Sequence, residues 1–220
     1  MSELEDLAQD VAKAVREAVP LMEKVQRDAE GLAKQLGGGS AAPLEQVDRQ
    51  VAGLRSTLER AGRDLTAGLN ARDGVVAGVG TETPELKRLG NQLTDLRGAV
   101  DRAHGSLVEG GRRVDEAMRA GAKGSGRAAQ EGADGVREVL RKAVETLGRS
   151  ETNRAEATEG SQALAQAGED GSLVKAADLA KAANAAQNPT PKSQQVAPGS
   201  ASRGHSQTNR SEGQIRERTR

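Results

Sequence analysis

The 220-residue sequence contains no Phe, Tyr or Trp. Aromatic rings bury more apolar surface than most other side chains, and they line many ligand pockets and anchor many interfaces. Hydrophobic residues make up only 35% of the chain, whereas Gly contributes 27 residues, so a thick two-layer core is not expected. A chain of this kind has to build its core from aligned rows of aliphatic side chains.

Aliphatic residues recur at alternating spacings of three and four in the first two-thirds of the chain. A first row runs from Leu4 to Leu36 and ends at three consecutive glycines. Two further rows contain no polar side chain. They provide the candidate interaction seam, which consists of Leu44, Val47, Val51, Leu54, Leu58, Leu65, Leu86, Leu89, Leu93, Leu96, Val100 and Leu107. A repeat sustained over several heptads favours coiled-coil packing between helices.

Residues at the ends of these rows are typical of helix termini. Ser2 and Glu5 form a capping-box pattern, and Thr83 followed by Pro84 suits the start of a helix. Pro20 lies inside the first row, and we expect it to kink or interrupt that helix. The rows and their ends predict three long helices, over 2–36, 43–73 and 84–120.

Three rows of similar length joined by Gly-rich links favour antiparallel neighbours. We predict an all-α fold, an elongated antiparallel helical bundle or coiled coil of three to four helices with a disordered C-terminal tail. The alternative is a long helical hairpin that dimerises. In the bundle, a Gly-rich break at 121–126 would separate the third helix from the shorter fourth helix. The expected units are a bundle or coiled-coil hairpin over 1–147, a weakly helical polar segment over 148–187, and a disordered basic tail over 188–220, whose few aliphatic residues cannot offset its ordering entropy.

The residue types needed for most catalytic and metal sites are scarce. The sequence has no Cys and only two His, His104 and His205, so no common zinc pattern can be assembled. We expect His104 to be a half-exposed residue beside the third row. Carboxylate pairs such as Asp115 and Glu116 are interpreted as solvated helix faces, because no pocket is expected to shift their pKa. We therefore predict no catalytic, cofactor-binding or metal-binding residue, no cofactor and no enzymatic activity.

Acidic and basic residues balance at 32 each, so the whole chain has no field that would steer it to nucleic acid. The segment 188–220 carries six basic and two acidic residues, an excess that suits weak, nonspecific contact with anions. No apolar run is long enough to span a membrane, and the acidic start MSELEDLAQD predicts no secretory signal peptide. We expect a cytoplasmic protein whose partner is a second copy or another helical protein, without specific nucleic-acid binding.

The start MSELEDLAQ, the aliphatic heptads and the Gly-rich turns carry a family resemblance over residues 1–147. In these features the chain resembles the N-terminal helical regions of actinobacterial polymorphic toxins and, more distantly, ESX/WXG-type helical hairpins. The resemblance implies a bacterial accessory or secretion-associated protein of a toxin or mobile-element system, with non-classical export as the alternative location. The chain departs from the hairpin family in having neither the Trp-x-Gly turn nor a Tyr for the export signal.

The pattern as a whole favours a non-enzymatic helical interaction or structural protein that acts by coiled-coil packing with itself or a partner. The accessory protein of a toxin or mobile-element system is one alternative. A conditionally folded stress-protectant-like protein is the other, because that class also has few aromatic residues and abundant Gly and Ala. The seven-residue period, with Leu and Val in register, distinguishes this chain from the weaker repeats of the stress protectants.

Overall fold

A computed structural model describes residues 2–37 and 43–187, which form six α-helices. The helices are α1 (Glu3–Gly37), α2 (Leu44–Val79), α3 (Pro84–Ala122), α4 (Gly126–Gly148), α5 (Glu151–Glu169) and α6 (Ser172–Gln187). The described residues contain no strand, so the predicted all-α class is confirmed. The predicted disorder and anion contacts of 188–220, together with His205, lie outside the described residues.

Side-chain caps fix the starts of α1 and α3 where the sequence predicts them. The Ser2 backbone N–H donates to Glu5 Oε2 at 3.1 Å, and the Glu5 N–H donates to Ser2 Oγ at 3.2 Å. Thr83 Oγ1 accepts a hydrogen bond from the Leu86 N–H at 3.3 Å, and Pro84 lies in the first turn of α3. These caps satisfy backbone donors that the first turn of a helix leaves without intrahelical partners.

Pro20 is expected to kink or interrupt α1; the helix continues through it, so the second of these two alternatives is wrong. Pro20 is exposed, whereas Ala18 and Met22 on either side are fully buried. Pro20 cannot donate to the carbonyl of Arg16, and because both residues are exposed, water can hydrogen-bond to that carbonyl instead. The buried neighbours hold both halves of the helix against the core.

α2 extends to Val79, beyond the end that the sequence predicts at residue 73. Val75 and Val79 are 0% and 2% exposed, so the last turns of α2 contribute to the core. Gly74 makes room for α1, because a Cβ added there would lie 3.0 Å from a methyl carbon of Leu7. Gly80, at φ 80°, ends the helix in the left-handed conformation that glycine adopts readily.

Four stretches of helix surround one apolar core: α1, α2, α3 and, in line with each other, α4 and α5. α1 and α3 each contact α2, α4 and α5. Gly110 in the second half of α3 faces Val139 of α4, whereas Leu89 near the start of α3 faces Gly160 of α5. α4 and α5 therefore follow one path along α3 in a single register. α6 packs against α1, α2 and α5 beside the start of α3.

The core consists of Leu, Val, Ala and Met side chains. Its largest fully buried members include Met22, Leu58, Leu65, Leu93, Leu96, Leu107, Leu140 and Leu147. At Gly68 the helices approach closely, since an added Cβ would lie 3.1 Å from the Ala14 Cβ. At Gly110 the spacing is ordinary, since the nearest atom, in Val139, would be 3.5 Å away. Of these two glycines, only Gly68 occupies a site where a methyl group would be crowded.

The segment 148–187, predicted to be weakly helical and polar, contains all of α5 and α6 and completes the core. Ala157 is fully buried, and the polar residues Arg154 and Ser161 share its face at 4% and 1% exposure. Arg154 Nη2 donates to Gln26 Oε1 of α1 at 2.9 Å. Arg154 Nε and Nη1 are buried without a hydrogen-bond partner among the described residues. The junction of α4 and α5 therefore contains a buried guanidinium that is only partly satisfied.

Candidate interaction surface

The predicted interaction seam lies inside the core of the chain. Leu44 is partly buried, and the other predicted seam residues are at most 6% exposed. The two helices that carry the seam pack against each other and against α1, α4 and α5. These side chains therefore hold the fold together, and a partner that binds the folded chain has to use surface that lies mostly outside the seam.

An apolar groove of about 520 Å³ opens between α3, α5 and α6. Leu86 and Leu89 of α3 form its floor, and Leu164 of α5 is buried beside them. Its remaining apolar lining consists of Val79, Gly160, Ala163, Ala167, Leu173 and Ala176. Because four of the six apolar residues that α5 and α6 contribute are Gly or Ala, the apolar walls are recessed.

Arg72 fixes the α2–α3 connection at one end of the groove. Its Nε and Nη2 donate to the Leu86 carbonyl oxygen at 2.9 and 2.7 Å. The same guanidinium pairs with Asp73 at 2.9 Å and with Glu82. Arg72 thus links the last turns of α2, the connection and the first turn of α3, and it positions Leu86 in the groove floor.

Charged side chains surround the groove. Arg88 Nη2 lies 3.1 Å from Glu156 Oε2, and Gln92 Nε2 donates to the same oxygen at 2.6 Å. The hydrogen bond from Arg88 and, after it, the one from Gln92 lower the pKa of Glu156. A backbone hydrogen bond lowers the pKa of Glu85, and Glu159 is exposed nearby. The rim therefore carries three carboxylates and one guanidinium, and its net charge is negative.

α6 carries the most exposed large aliphatic side chain of the described residues. Leu179 is 72% exposed, compared with 41% for Val108 on α3 and 37% for Val174 on α6. Ala177, on the opposite face of α6, is 4% exposed and packs inward. Leu179 lies one turn beyond Ala176, which lines the groove, so the two side chains share a helix face. The apolar surface of the groove continues onto the outer edge of α6.

The titratable groups of the described residues form no metal cluster, since no three His, Cys, Asp or Glu side chains group closely enough to hold an ion. None of the described helices is long and apolar enough to cross a membrane.

His104 is half-buried, with Nε2 3.1 Å from Glu59 Oε1. Arg112 and Arg113 lower the pKa of Glu109 to about 2, so this carboxylate remains ionised at neutral pH.

The groove combines an apolar floor with a charged rim. Comparison with family models, curated proteins and solved structures finds no match to this chain. The groove has an apolar floor, recessed walls and an anionic rim, and the exposed Leu179 lies beside it. An amphipathic helix laid in a groove uses large apolar side chains as anchors and polar residues at the edges, and this groove offers both kinds of contact.

The groove residues of α5 and α6 are missing from the sequence-based prediction because their segment is rich in polar residues. A signal is nevertheless present. The row Arg154, Ala157, Ser161, Leu164 and Gly168 keeps the alternating spacing of three and four, and all five residues are buried. The spacing of three and four therefore indicates the buried face of α5 if polar residues are allowed in the row, but it does not indicate the groove beside α5.

Proposed function

We propose that the protein is a non-enzymatic helical interaction or structural protein whose helices form an elongated antiparallel bundle. It binds a helix, from a second copy or from another protein, in the groove between α3, α5 and α6. The observation that carries this proposal is the groove of about 520 Å³ with its Leu86 and Leu89 floor. The predicted seam stabilises the bundle that presents this groove.

The shape of the groove supports a helix as the ligand. Its walls come from helices α3, α5 and α6, and the recess over Gly160, Ala163 and Ala167 follows one face of α5. Residues at such spacings lie along a single stripe of a helix. An elongated recess of this kind receives a row of aliphatic side chains, which a second helix supplies at its own three and four spacing.

The charged groups support a binding role over catalysis. Glu156 is held by Arg88 and Gln92 in contacts that favour its ionised form. A carboxylate whose pKa is lowered is a poor general acid near neutral pH. The three carboxylates at the rim instead provide a negative edge that favours a ligand helix with Lys or Arg beside its apolar face.

The test is binding of a labelled synthetic amphipathic helix made of Leu and Lys, followed by fluorescence anisotropy. Wild type should bind it saturably. Ala163→Arg places a large cation in the recess and should weaken binding at least about tenfold, since it removes room for an anchoring side chain and repels Lys. Circular dichroism of each protein confirms that helicity is unchanged.

Ala52→Arg is the matched control for this experiment. Ala52 is an exposed alanine on α2, away from the groove, so the same substitution changes net charge and helix composition equally. This control should bind the peptide as wild type does. Equal weakening by the two substitutions, or no binding by wild type, contradicts the proposed function.

A further inference from the structure

Two carboxylates at the rim of the groove have no cationic partner among the described residues. The charged residues that line the groove are Glu85, Arg88, Glu156 and Glu159. Arg88 pairs with Glu156 at 3.1 Å. Glu85 and Glu159 are exposed, and neither forms a salt bridge within the described part of the chain. A ligand that brings arginine or lysine to this rim therefore gains favourable charge contacts.

The segment 210–220 has both features that suit an apolar floor with a negative rim. It contains one large aliphatic residue, Ile215, together with four arginines and two glutamates. Arg216 and Arg218 lie within three residues of Ile215 along the sequence. A large side chain that fills an apolar recess anchors an interface, and adjacent cations complement carboxylates at its edge. The segment 38–42, Gly-Gly-Ser-Ala-Ala, has neither feature.

Charge distinguishes the segment 210–220 from the exposed edge of α6. Leu179 is 72% exposed, but Lys175 and Asp178 on the same helix offset each other. The α6 helix of a second copy would therefore bring no net charge to the rim beside this leucine. The segment 210–220 brings an excess of two positive charges, so the negative rim favours it over α6.

The segment 210–220 follows α6 along the chain and is long enough to reach the groove. Ala176 lines the groove, and α6 continues from there for 11 residues to Gln187, a distance of about 16 Å along the helix. The 28 residues from 188 to 215 can span up to about 90 Å. Because the link is covalent, binding is intramolecular, and a tether can supply an effective concentration of about 1 mM. A separate molecule has to be very concentrated to compete.

We propose that the segment 210–220 occupies the groove of its own chain, with Ile215 against the apolar floor and the arginines beside the two unpaired carboxylates. Since it names a ligand of that same surface, this occupancy depends on the proposed function. A partner helix then has to displace the segment. Its apparent Kd equals the Kd for the open groove divided by the fraction of molecules in which the groove is open. The segment thereby sets the affinity of the protein for its partner.

Binding of the labelled Leu and Lys helix to wild type and to Ile215→Asp tests this occupancy. The substitution removes the anchor and places a negative charge against the rim. It should lower the Kd of the labelled helix at least about threefold, the change expected when the segment covers the groove in two-thirds of the molecules. At about 1 M salt the difference should shrink, because contacts between exposed charges are screened.

Val196→Asp is the matched control. Val196 also follows α6 but lies outside 210–220, and the substitution makes the same change from a β-branched aliphatic residue to Asp. It should leave the Kd near the wild-type value. Neither residue belongs to the six helices, so circular dichroism should be the same for all three proteins. Equal Kd values for wild type and Ile215→Asp, or equal effects of the two substitutions, overturn the proposed occupancy.

Crosslinking identifies the occupant. The chain has no Cys, so Ala155→Cys gives one labelling site for a benzophenone and keeps the rim carboxylates. Ala155 is exposed on α5, one turn before Glu159. Irradiation of an equimolar mixture of chains with natural and heavy nitrogen should give single-isotope crosslinks to the tryptic peptide 211–216. Mixed-isotope crosslinks would assign the groove to a second copy, and both these and crosslinks that miss 211–216 overturn the proposed occupancy.

The two proposals fail in distinguishable ways. If the labelled helix binds wild type and Ala163→Arg weakens that binding, while Ile215→Asp has no effect and crosslinks miss 211–216, the groove binds helices but the segment 210–220 does not cover it. If the labelled helix binds neither wild type nor Ile215→Asp, the proposed function fails, and the occupancy fails with it. Single-isotope crosslinks to 211–216, together with tighter binding of the labelled helix by Ile215→Asp, support both.

Discussion

Replacement of Arg154 by Met should stabilise the protein. Arg154 is 4% exposed, and its Nε and Nη1 lack hydrogen-bond partners among the described residues. Only Nη2 is satisfied, by Gln26 Oε1 at 2.9 Å. A buried charge with incomplete partners is destabilising, and its replacement by an apolar side chain of similar length is often stabilising.

The size of the effect follows from the groups that change. Removal of two unsatisfied donors should contribute about 1–3 kcal/mol for each, and loss of the hydrogen bond to Gln26 should cost about 1.5–3 kcal/mol because the donor is charged. Gln26 is only partly buried, so water can replace its lost partner. The flexible Met side chain adapts to irregular space. We expect a net gain of roughly 1–3 kcal/mol in the free energy of unfolding.

Urea denaturation followed by far-ultraviolet circular dichroism measures this change, because the chain has no aromatic residue for fluorescence. For a protein of this size each kcal/mol raises Tm by about 2–4 °C. Arg149→Met is the control: its side chain is 78% exposed and pairs with Glu145, so its effect should stay within about 0.5 kcal/mol. A loss of stability in Arg154→Met that exceeds the control would show that the guanidinium is fully paired in the folded protein, and it would refute the reasoning.

Two further predictions use matched substitutions or pH. A Cβ added at Gly105 meets nothing within 4 Å, so Gly105→Ala should stabilise the protein by about 1 kcal/mol through helix propensity alone. Gly132→Ala should instead destabilise it, because its Cβ would lie 2.5 Å from the Ala117 Cβ and 3.1 Å from the Ala117 Cα. Urea denaturation checks both: relative to wild type, the midpoint should rise for the first substitution and fall for the second. Burial, and secondarily the charge of Glu17, raises the pKa of Asp64. Its ionisation therefore opposes folding as pH rises through the folded-state pKa, so Asp64→Asn should be more stable than wild type at neutral pH. The difference should shrink as pH falls toward the unfolded-state pKa of about 3.9, whereas a difference independent of pH would contradict this assignment.

The long helices could be predicted from the sequence because their buried rows are purely aliphatic. Leu93 and Leu96, for example, are fully buried where the seven-residue period places an inward face. The uninterrupted course of α1 through Pro20 could not be predicted, since the effect of a proline depends on whether its face of the helix meets solvent or core. Packing of the whole chain decides which face of α1 meets solvent, and the local sequence around the proline does not reveal it.

α5 illustrates the opposite case. Arg154 and Ser161 occupy positions in its buried row, so the row contains few aliphatic side chains although its spacing is helical. The groove is harder still to predict, because it forms between Leu86 and Leu89 on α3 and Ala163 and Leu173, which lie more than seventy residues further along the chain. Only the arrangement of α3, α5 and α6 brings them together.

Because α4 and α5 share a single register along α3, the fold limits where residues can be inserted or deleted. One residue inserted at the α4–α5 junction, beside Ser150, would rotate α5 by about 100° and move Ala157 and Leu164 out of the core. The exposed α3–α4 connection at 123–125 can lengthen without turning either helix, because a loop does not transmit rotation. Insertions and deletions should therefore be tolerated between α3 and α4 but removed by selection between α4 and α5, although both sites are short breaks between helices.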